Sequence, residues 1–232
     1  MPTKVGFRIY EKINRPDKEL VEKFRGIPSS NINDEMNRLY CMSASISPLN
    51  KVESMVGTAF TVKAPIGDNL MLHRALDMAQ PGDIIVVDGA GAVDRSLAGE
   101  IMLTFAEKKG IAGVVVDGAL RDLDGIHRCK MPVYAKAITP QGPFKNGPGE
   151  IGVPVSCGGI VVFPGDILVG DEDGIVVIRP EDAEDVLAAA QKKLASETAK
   201  LTRYAAEGPD IEAHAERIGK SLEAKGVYVV KE

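Results

Sequence analysis

From Gly57 to Leu120 the chain alternates between two apolar rhythms. Thr58-Ala59-Phe60-Thr61-Val62 shows strand-like alternation. Ile84-Ile85-Val86-Val87 and Val114-Val115-Val116 are β-branched runs that read as strands buried on both faces. Between them, Leu72, Ala75, Leu76 and Ala79 mark one face of a helix over Leu70–Ala79. A second helix is expected over Ala98–Lys109, closed by Gly110 in the C′ role. Turns at Gly67-Asp68-Asn69 and Pro81-Gly82-Asp83 punctuate the series. This order predicts right-handed crossovers and a mainly parallel sheet. Asp117-Gly118 is expected to break the third strand, which places Arg121-Asp122 where such a sheet opens its ligand crevice.

The flanks follow other patterns. Leu20, Val21 and Phe24 after Pro16 suit a short helix over Asp17–Arg25, and the polar stretch from Ser29 offers N-caps for another ending near Tyr40. Beyond Leu120, Val133–Ala137, Ile151–Val155, Ile160–Val162 and Ile175–Ile178 read as short strands between Pro and Gly turns. Pro164-Gly165-Asp166-Ile167-Leu168-Val169 echoes Pro81-Gly82-Asp83-Ile84-Ile85-Val86, a recurring turn-into-strand solution. An Ala-rich charged helix is expected from Pro180 to about Ala206 and a shorter one over Ile211–Lys225. No long linker interrupts the 232 residues, so the expectation is one α/β domain: a helical lead-in over 1–50, a core over 51–180 and C-terminal helices over 181–232.

Composition narrows the function classes. Net charge is −5, and Lys192-Lys193 is broken up by carboxylates, so no phosphate-binding footprint points to nucleic acid. Cys41, Cys129 and Cys157 are scattered and odd in number, which fits reduced thiols in a cytoplasm. Met1 to Asn14 lacks the apolar stretch of a secretory leader, and no run reaches the roughly 18 apolar residues of a membrane span.

Elimination leaves oxygen chemistry. Gly89-Ala90-Gly91 fails as a dinucleotide fingerprint, because the third glycine would fall at Asp94. His73, His127 and His214 form no pair with metal-ligand spacing, and His73 on its helix reads first as a packing residue. Cys157 lacks a nearby histidine to activate it. Asp122, Asp124 and Glu100 stand near strand ends or helix starts and suit Mg²⁺ or Mn²⁺. Glu100-Ile101-Met102 opens a helix after Gly99, whose free N–H groups form an anion site. Arg121 can clamp a carboxylate bidentately; a surface Arg-Asp pair opening a helix is the plainer reading of the same residues.

Taken together, these motifs resemble the RraA-like family, which includes regulators of ribonuclease E activity and class II 4-hydroxy-4-methyl-2-oxoglutarate aldolases. The resemblance rests on Gly67-Asp68-Asn69, Pro81 to Gly89, Gly99-Glu100, Gly113 to Gly118 with Arg121-Asp122, Pro154-Val155 to Gly158-Gly159, and Pro164-Gly165-Asp166 to Asp173-Gly174. It spans roughly residues 55–180. It implies an αββα sandwich of the swivelling β/β/α type with a helical C-terminal tail, assembled as trimers or hexamers. It also implies that Asp122 holds a divalent metal, Mg²⁺ or Mn²⁺, directly or through water, while Arg121 binds a pyruvate carboxylate with the N–H groups of Ile101 and Met102. Glu100 and Asn69 match positions that line the pocket and order water, and Glu197 is the candidate acid supplied by a neighbouring subunit.

The implied activity is a carbon–carbon lyase on a pyruvate-derived 2-oxo acid, an aldolase or an oxaloacetate decarboxylase. Two alternatives from other classes stand beside it: a non-catalytic inhibitor of a ribonuclease, and, ranked last, a methyltransferase. His73, Arg95 and a second subunit are the candidates to shape the end of the pocket that receives the departing group.

Overall fold

The computed structural model describes residues 3–51, 53–228 and 230. It resolves into two compact units, one to Gln191 and one from Lys192.

The first unit is built on a nine-stranded sheet. In chain order its elements are β1 (Phe7–Ile9), α1 (Lys18–Glu22), α2 (Ser29–Glu35), β2 (Ser47–Pro48), β3 (Met55–Lys63), α3 (Leu70–Met78), β4 (Asp83–Asp88), α4 (Glu100–Lys108), β5 (Gly113–Leu120), α5 (Leu123–Arg128), β6 (Val133–Ile138), β7 (Gly149–Ile151), β8 (Val155–Cys157), β9 (Ile160–Val162), β10 (Ile167–Asp171) and β11 (Gly174–Ile178). Helix α6 (Ala183–Glu207) follows a 3₁₀ turn at Pro180–Asp182 and carries the chain into the second unit, which also holds α7 (Ile211–Ala224).

Strands β3, β4, β5 and β6 are parallel neighbours; the strand–helix alternation predicts the first three, and the short helix α5 extends it to β6. β7 and β10 share the other edge of β3, both antiparallel, with β10 on Met55–Thr58 and β7 on Val62–Lys63. β8 and β9 form a separate hairpin.

Because side chains alternate along a strand, the sheet has two cores. Ile85, Val87, Val114 and Val116 pack beneath α3, α4 and α5 with Leu72, Leu76, Leu103 and Ile126. Ile84, Val86, Val115 and Tyr134 face the opposite way, onto Val155, Cys157 and Val162 of the hairpin and Leu168, Ile175 and Val177 of β10 and β11. α2 packs against β10 and β11. The layers thus run helix, sheet, sheet, helix, and the lead-in is bound into them: Phe24 and Ile32 are fully buried and β1 pairs with β7.

Three expectations need correction. Asp117-Gly118 does not break its strand, since β5 runs on to Leu120. The backbone there finds partners on both sides: Leu97 N–H donates to Ala119 (2.9 Å) and Thr139 N–H to Leu120 (2.9 Å). A register shift between Val116 and Ala119 absorbs the extra residue. Ile151–Val155 is two strands, separated where Gly152 takes a positive φ of 74°. The second helix stops at Glu35, short of Tyr40, because Asn37 and Arg38 adopt left-handed backbone angles.

Candidate active site

The extension of β5 decides where the chemistry stands. Arg121 follows its last residue and donates its N–H to Ala98 (3.0 Å), which fixes the entry to α4 beside the strand end. Asp122 then turns the chain with φ 63° and ψ 52°, a left-handed conformation that a non-glycine residue adopts at a cost of about 1 kcal/mol. That turn aims the carboxylate back at α4: Glu100 N–H donates to Asp122 Oδ2 (3.1 Å). Arg121 Nε lies 3.5 Å from the same oxygen, with both side chains near half exposure.

Gly99 is the residue that permits this approach. Its backbone is extended, so its value is steric: a Cβ would collide with Asp122 Oδ2 and Arg121 Cγ. Ile101 and Met102 follow in the first turn of α4, where backbone N–H groups have no intrahelical acceptor, and the helix dipole adds partial positive charge.

These groups border one cavity of about 250 Å³, lined by Asn69, His73, Ala98, Gly99, Ile101, Met102, Arg121, Asp122, Gly142, Pro143 and Lys145. Asn69, at 1% exposure, donates through Nδ2 to Leu97 O (2.8 Å), while its Oδ1 has no partner among the described residues. His73 Nε2 is likewise buried without a partner among them. Unsatisfied buried polar atoms cost about 1–3 kcal/mol each, and two on one cavity mark it as built for a polar occupant. Burial, and then the nearby Lys145 ammonium, hold the His73 imidazole below its ordinary titration range, with Asp77 opposing.

Glu100 points elsewhere. Its side chain lines an adjoining open groove of about 450 Å³ with Asp122, Leu123, Asp124, Gly125 and Arg128. There Glu100 Oε1 meets Arg128 Nη2 at 2.7 Å. Asp122 therefore borders both spaces, the cavity on one side and a carboxylate-lined groove on the other. Among the described residues no three His, Cys, Asp or Glu form a ready metal cage. One carboxylate backed by two more in an open groove does suit a hard, well-hydrated cation that keeps several waters, as Mg²⁺ does.

Of the residues singled out in the sequence, the structure brings Asn69, Gly99, Ile101, Met102, Arg121 and Asp122 to one cavity and sets Glu100 next door. Arg95 does not line the cavity. Glu197 lies on α6 in the second unit, 3.2 Å from Lys193. Sequence reasoning missed Lys145, Gly142 and Pro143, which come from the loop between β6 and β7. The signal was its density of turn residues, Pro140, Gly142, Pro143, Gly147 and Pro148, in a stretch too irregular for a strand. It also missed Arg128.

The Gly89-Ala90-Gly91 turn is occupied by its own chain. Gly89 and Gly91 N–H groups both donate to Asp117 O (3.1 Å each) and Ala90 N–H donates to Asp88 Oδ1 (3.0 Å), leaving no phosphate cradle.

Comparison with known proteins decides the family. The Aldolase/RraA model of the RraA-like family matches residues 29–177. The chain belongs to the RraA-like family. Over 182 residues it is 41% identical to a Halalkalibacterium halodurans protein whose name assigns it provisionally as a 4-hydroxy-4-methyl-2-oxoglutarate aldolase, covering 78% of this chain and 87% of that one. A Thermus thermophilus protein named 4-hydroxy-4-methyl-2-oxoglutarate aldolase is 37% identical over 119 residues, 51% of this chain and 72% of its own. Among solved structures, Streptomyces coelicolor RraAS2, described as an unusual member of the RNase ES inhibitor RraA family, matches with TM-score 0.73 and 27% identity. That match covers 82% of this chain and all of RraAS2. This RraA-like chain thus carries the expected layered fold, and no helix among the described residues is long and apolar enough to cross a membrane.

Proposed function

We propose that this RraA-like protein is a divalent-metal-dependent carbon–carbon lyase acting on a pyruvate-derived 2-oxo dicarboxylate such as 4-hydroxy-4-methyl-2-oxoglutarate. The observation that carries the reading is the single cavity in which Arg121, the open first turn of α4 and Asp122 converge, with Lys145 as a second cation.

The residues divide the work by charge. Arg121 and the Ile101 and Met102 N–H groups bind the carboxylate next to the keto group. Lys145 gives a second carboxylate its counter-charge, and the unpaired atoms of Asn69 and His73 meet the hydroxyl of the substrate. Asp122, with Glu100 and Asp124 behind it, would hold Mg²⁺ or Mn²⁺. When bound, such an ion supplies Lewis-acid stabilisation of the charge that develops on the keto oxygen.

In the cleavage, the 4-hydroxyl gives its proton to solvent, its oxygen becomes the C4 carbonyl of a second pyruvate, and the C3–C4 bond breaks. Its electron pair passes to the C2 oxygen as a pyruvate enolate, and C3 is then protonated. Arg121 stays fixed while charge grows beside it, the condition for selective transition-state stabilisation. Oxaloacetate would yield the same enolate by losing carbon dioxide.

The assembly belongs to the same proposal. Ile101, which lines the cavity, is 84% exposed, and Phe105, one turn further along α4, is 49% exposed. A second copy covering them in a trimer or hexamer would close the site and could present Glu197 to it. A cytoplasmic location belongs to the same proposal, and the three free cysteines support it.

The test is pyruvate release from 4-hydroxy-4-methyl-2-oxoglutarate and oxaloacetate, with and without Mg²⁺ or Mn²⁺. Release that depends on metal and on Asp122 is expected; folded protein inert toward a broad 2-oxo acid panel would overturn the reading. The likeness to RraAS2 favours one other reading, inhibition of a ribonuclease through a surface. Ribonuclease binding that persists in Asp122→Asn, without lyase activity, would establish that instead.

A further inference from the structure

The loop between β6 and β7 forms one wall of the cavity, yet it has no secondary structure of its own. Its order comes from residues 67–69 and 94–96. Ser96 donates to Gln141 O through both N–H (2.9 Å) and Oγ (2.8 Å). Asp68 Oδ2 accepts from the Asn146 (2.6 Å) and Gly147 (3.0 Å) N–H groups. Phe144 N–H donates to Gly67 O (2.8 Å), and Asn69 N–H donates to Phe144 O (3.0 Å).

Arg95 holds the centre of this arrangement. Its Nη1 donates to Gly142 O at 2.5 Å. With the Gln141 amide oriented to satisfy both of its ends, Arg95 Nη2 donates to the side-chain oxygen (2.5 Å) and the amide nitrogen donates to Asp94 O (2.7 Å). The guanidinium also lies over the Phe144 ring, 4.2 Å from its centroid. Its stem fills the space above Gly67, where a Cβ would collide with it, and Gly67 takes the positive φ of 69°. A planar fork that stacks and donates in two directions at once is guanidinium chemistry; an ammonium cannot reproduce it.

The far side of Gly142 faces the candidate clamp. A Cβ on Gly142 would stand 3.0 Å from Arg121 Nη1. Gly142 therefore accepts from Arg95 and lies beside the Arg121 guanidinium, while the same loop carries Lys145 into the cavity wall.

We propose that Arg95 is a positioning residue for the anion-binding cavity. It touches no substrate; it clamps the Gln141–Gly147 loop so that Gly142 buttresses Arg121 and Lys145 faces inward. The proposal rests on the lyase reading for the identity of the anion, but the clamp is open to measurement without any ligand.

The experiment compares wild type, Arg95→Lys and Arg95→Met. Hydrogen exchange of the ligand-free protein reads the loop, oxalate binding in the presence of Mg²⁺ reads the cavity, and pyruvate-release kinetics separate KM from kcat. In both variants, amides of Phe144, Asn146 and Gly147 should exchange at least about tenfold faster while β3–β6 amides keep their protection. Oxalate binding should weaken and KM rise about tenfold, the scale of losing a charge-assisted hydrogen bond, with kcat changing less. Phe144→Leu, which removes only the stacking, should give a smaller shift in the same direction.

Unchanged loop exchange in Arg95→Lys would overturn the clamp. So would faster exchange with wild-type oxalate affinity, because the loop would then not position the site. Wild type that ignores oxalate and releases no pyruvate overturns the lyase reading; faster exchange confined to this loop in Arg95→Lys then still supports the clamp.

Discussion

Two aspartates five residues apart on one strand end meet opposite fates. Asp117 faces the β-hairpin layer, 6% exposed, with Lys136 Nζ 2.6 Å from Oδ1 as an ion pair rather than an aligned hydrogen bond, and Gly158 N–H donating to Oδ2 at 2.9 Å. It belongs to a row of charges in register across the sheet: Lys63 pairs with Asp88 at 2.8 Å, and Asp88 sits opposite Asp117 on β5. Asp122 faces the helical layer in a strained turn, with a side chain 44% exposed and a single backbone donor at 3.1 Å. The first carboxylate is spent on its own protein, pinning the hairpin to the sheet. The second is left with capacity to spare, beside unpaired polar atoms and free helix N–H groups. Residue type does not separate structure from function here; unspent hydrogen-bonding capacity does.

The largest test of this contrast is the pair Asp122→Asn and Asp117→Asn. Asp122→Asn should lower pyruvate release by a hundredfold or more, about the cost of removing a key charge-stabilising group, with a melting temperature near wild type. Asp117→Asn should destabilise the fold by about 3 kcal/mol in denaturant unfolding, because it leaves the Lys136 ammonium half-buried without its counter-ion. A swap of these outcomes would break the comparison.

Gly99→Ala asks whether close approach at the helix start matters. The added methyl must displace Asp122 or Arg121. Activity should fall by about two orders of magnitude, as expected when a reacting group moves by roughly 1 Å. Global stability should change far less, as measured by thermal unfolding.

Lys145→Met should sharpen the assignment of the two cations. Its KM for a 2-oxo dicarboxylate should rise about tenfold, while pyruvate, which has one carboxylate, should bind as it does to wild type.

The smallest effect concerns His73. Burial and Lys145 lower its pKa, so its imidazole should titrate in NMR at a midpoint below the ordinary 6.5. The sign follows from linkage: the unfolded chain takes up the proton first as pH drops. The stability this residue contributes is therefore complete above about pH 6.5 and lost as pH falls through the lowered folded value. His73→Gln should remove that part of the pH dependence.

Much of the fold was legible because its signals are local. The β-branched runs at Ile84–Val87 and Val114–Val116 declare buried strands, and Gly110 closes α4 at φ +81° as a C′ glycine should. The wrong reading at Asp117-Gly118 came from treating a turn-forming pair as a turn. Those residues stay in the strand because Ser96–Ala98 and Ala137–Thr139 supply the pairing, and both segments are distant in sequence. Of the site, Arg121, Asp122, Asn69 and the start of α4 could be named from motif and position. Lys145 could not, since a lysine in a Pro-Gly loop carries no period and no spacing rule, and Arg95 was legible only as a residue shaping the pocket, not as one that holds the loop.

The sequence by itself determined the parallel β3–β5 series, the starts of α3 and α4 and the chemical character of the strand-end residues, because periodicity and turn chemistry act over a few residues. Tertiary structure alone decided which aspartate is spent and which stays available. It also brought Lys145 to the cavity wall and set Gly142, which accepts from Arg95, beside Arg121. Those outcomes depend on which distant N–H groups and cations arrive at each carboxylate. That is settled only when the layers pack.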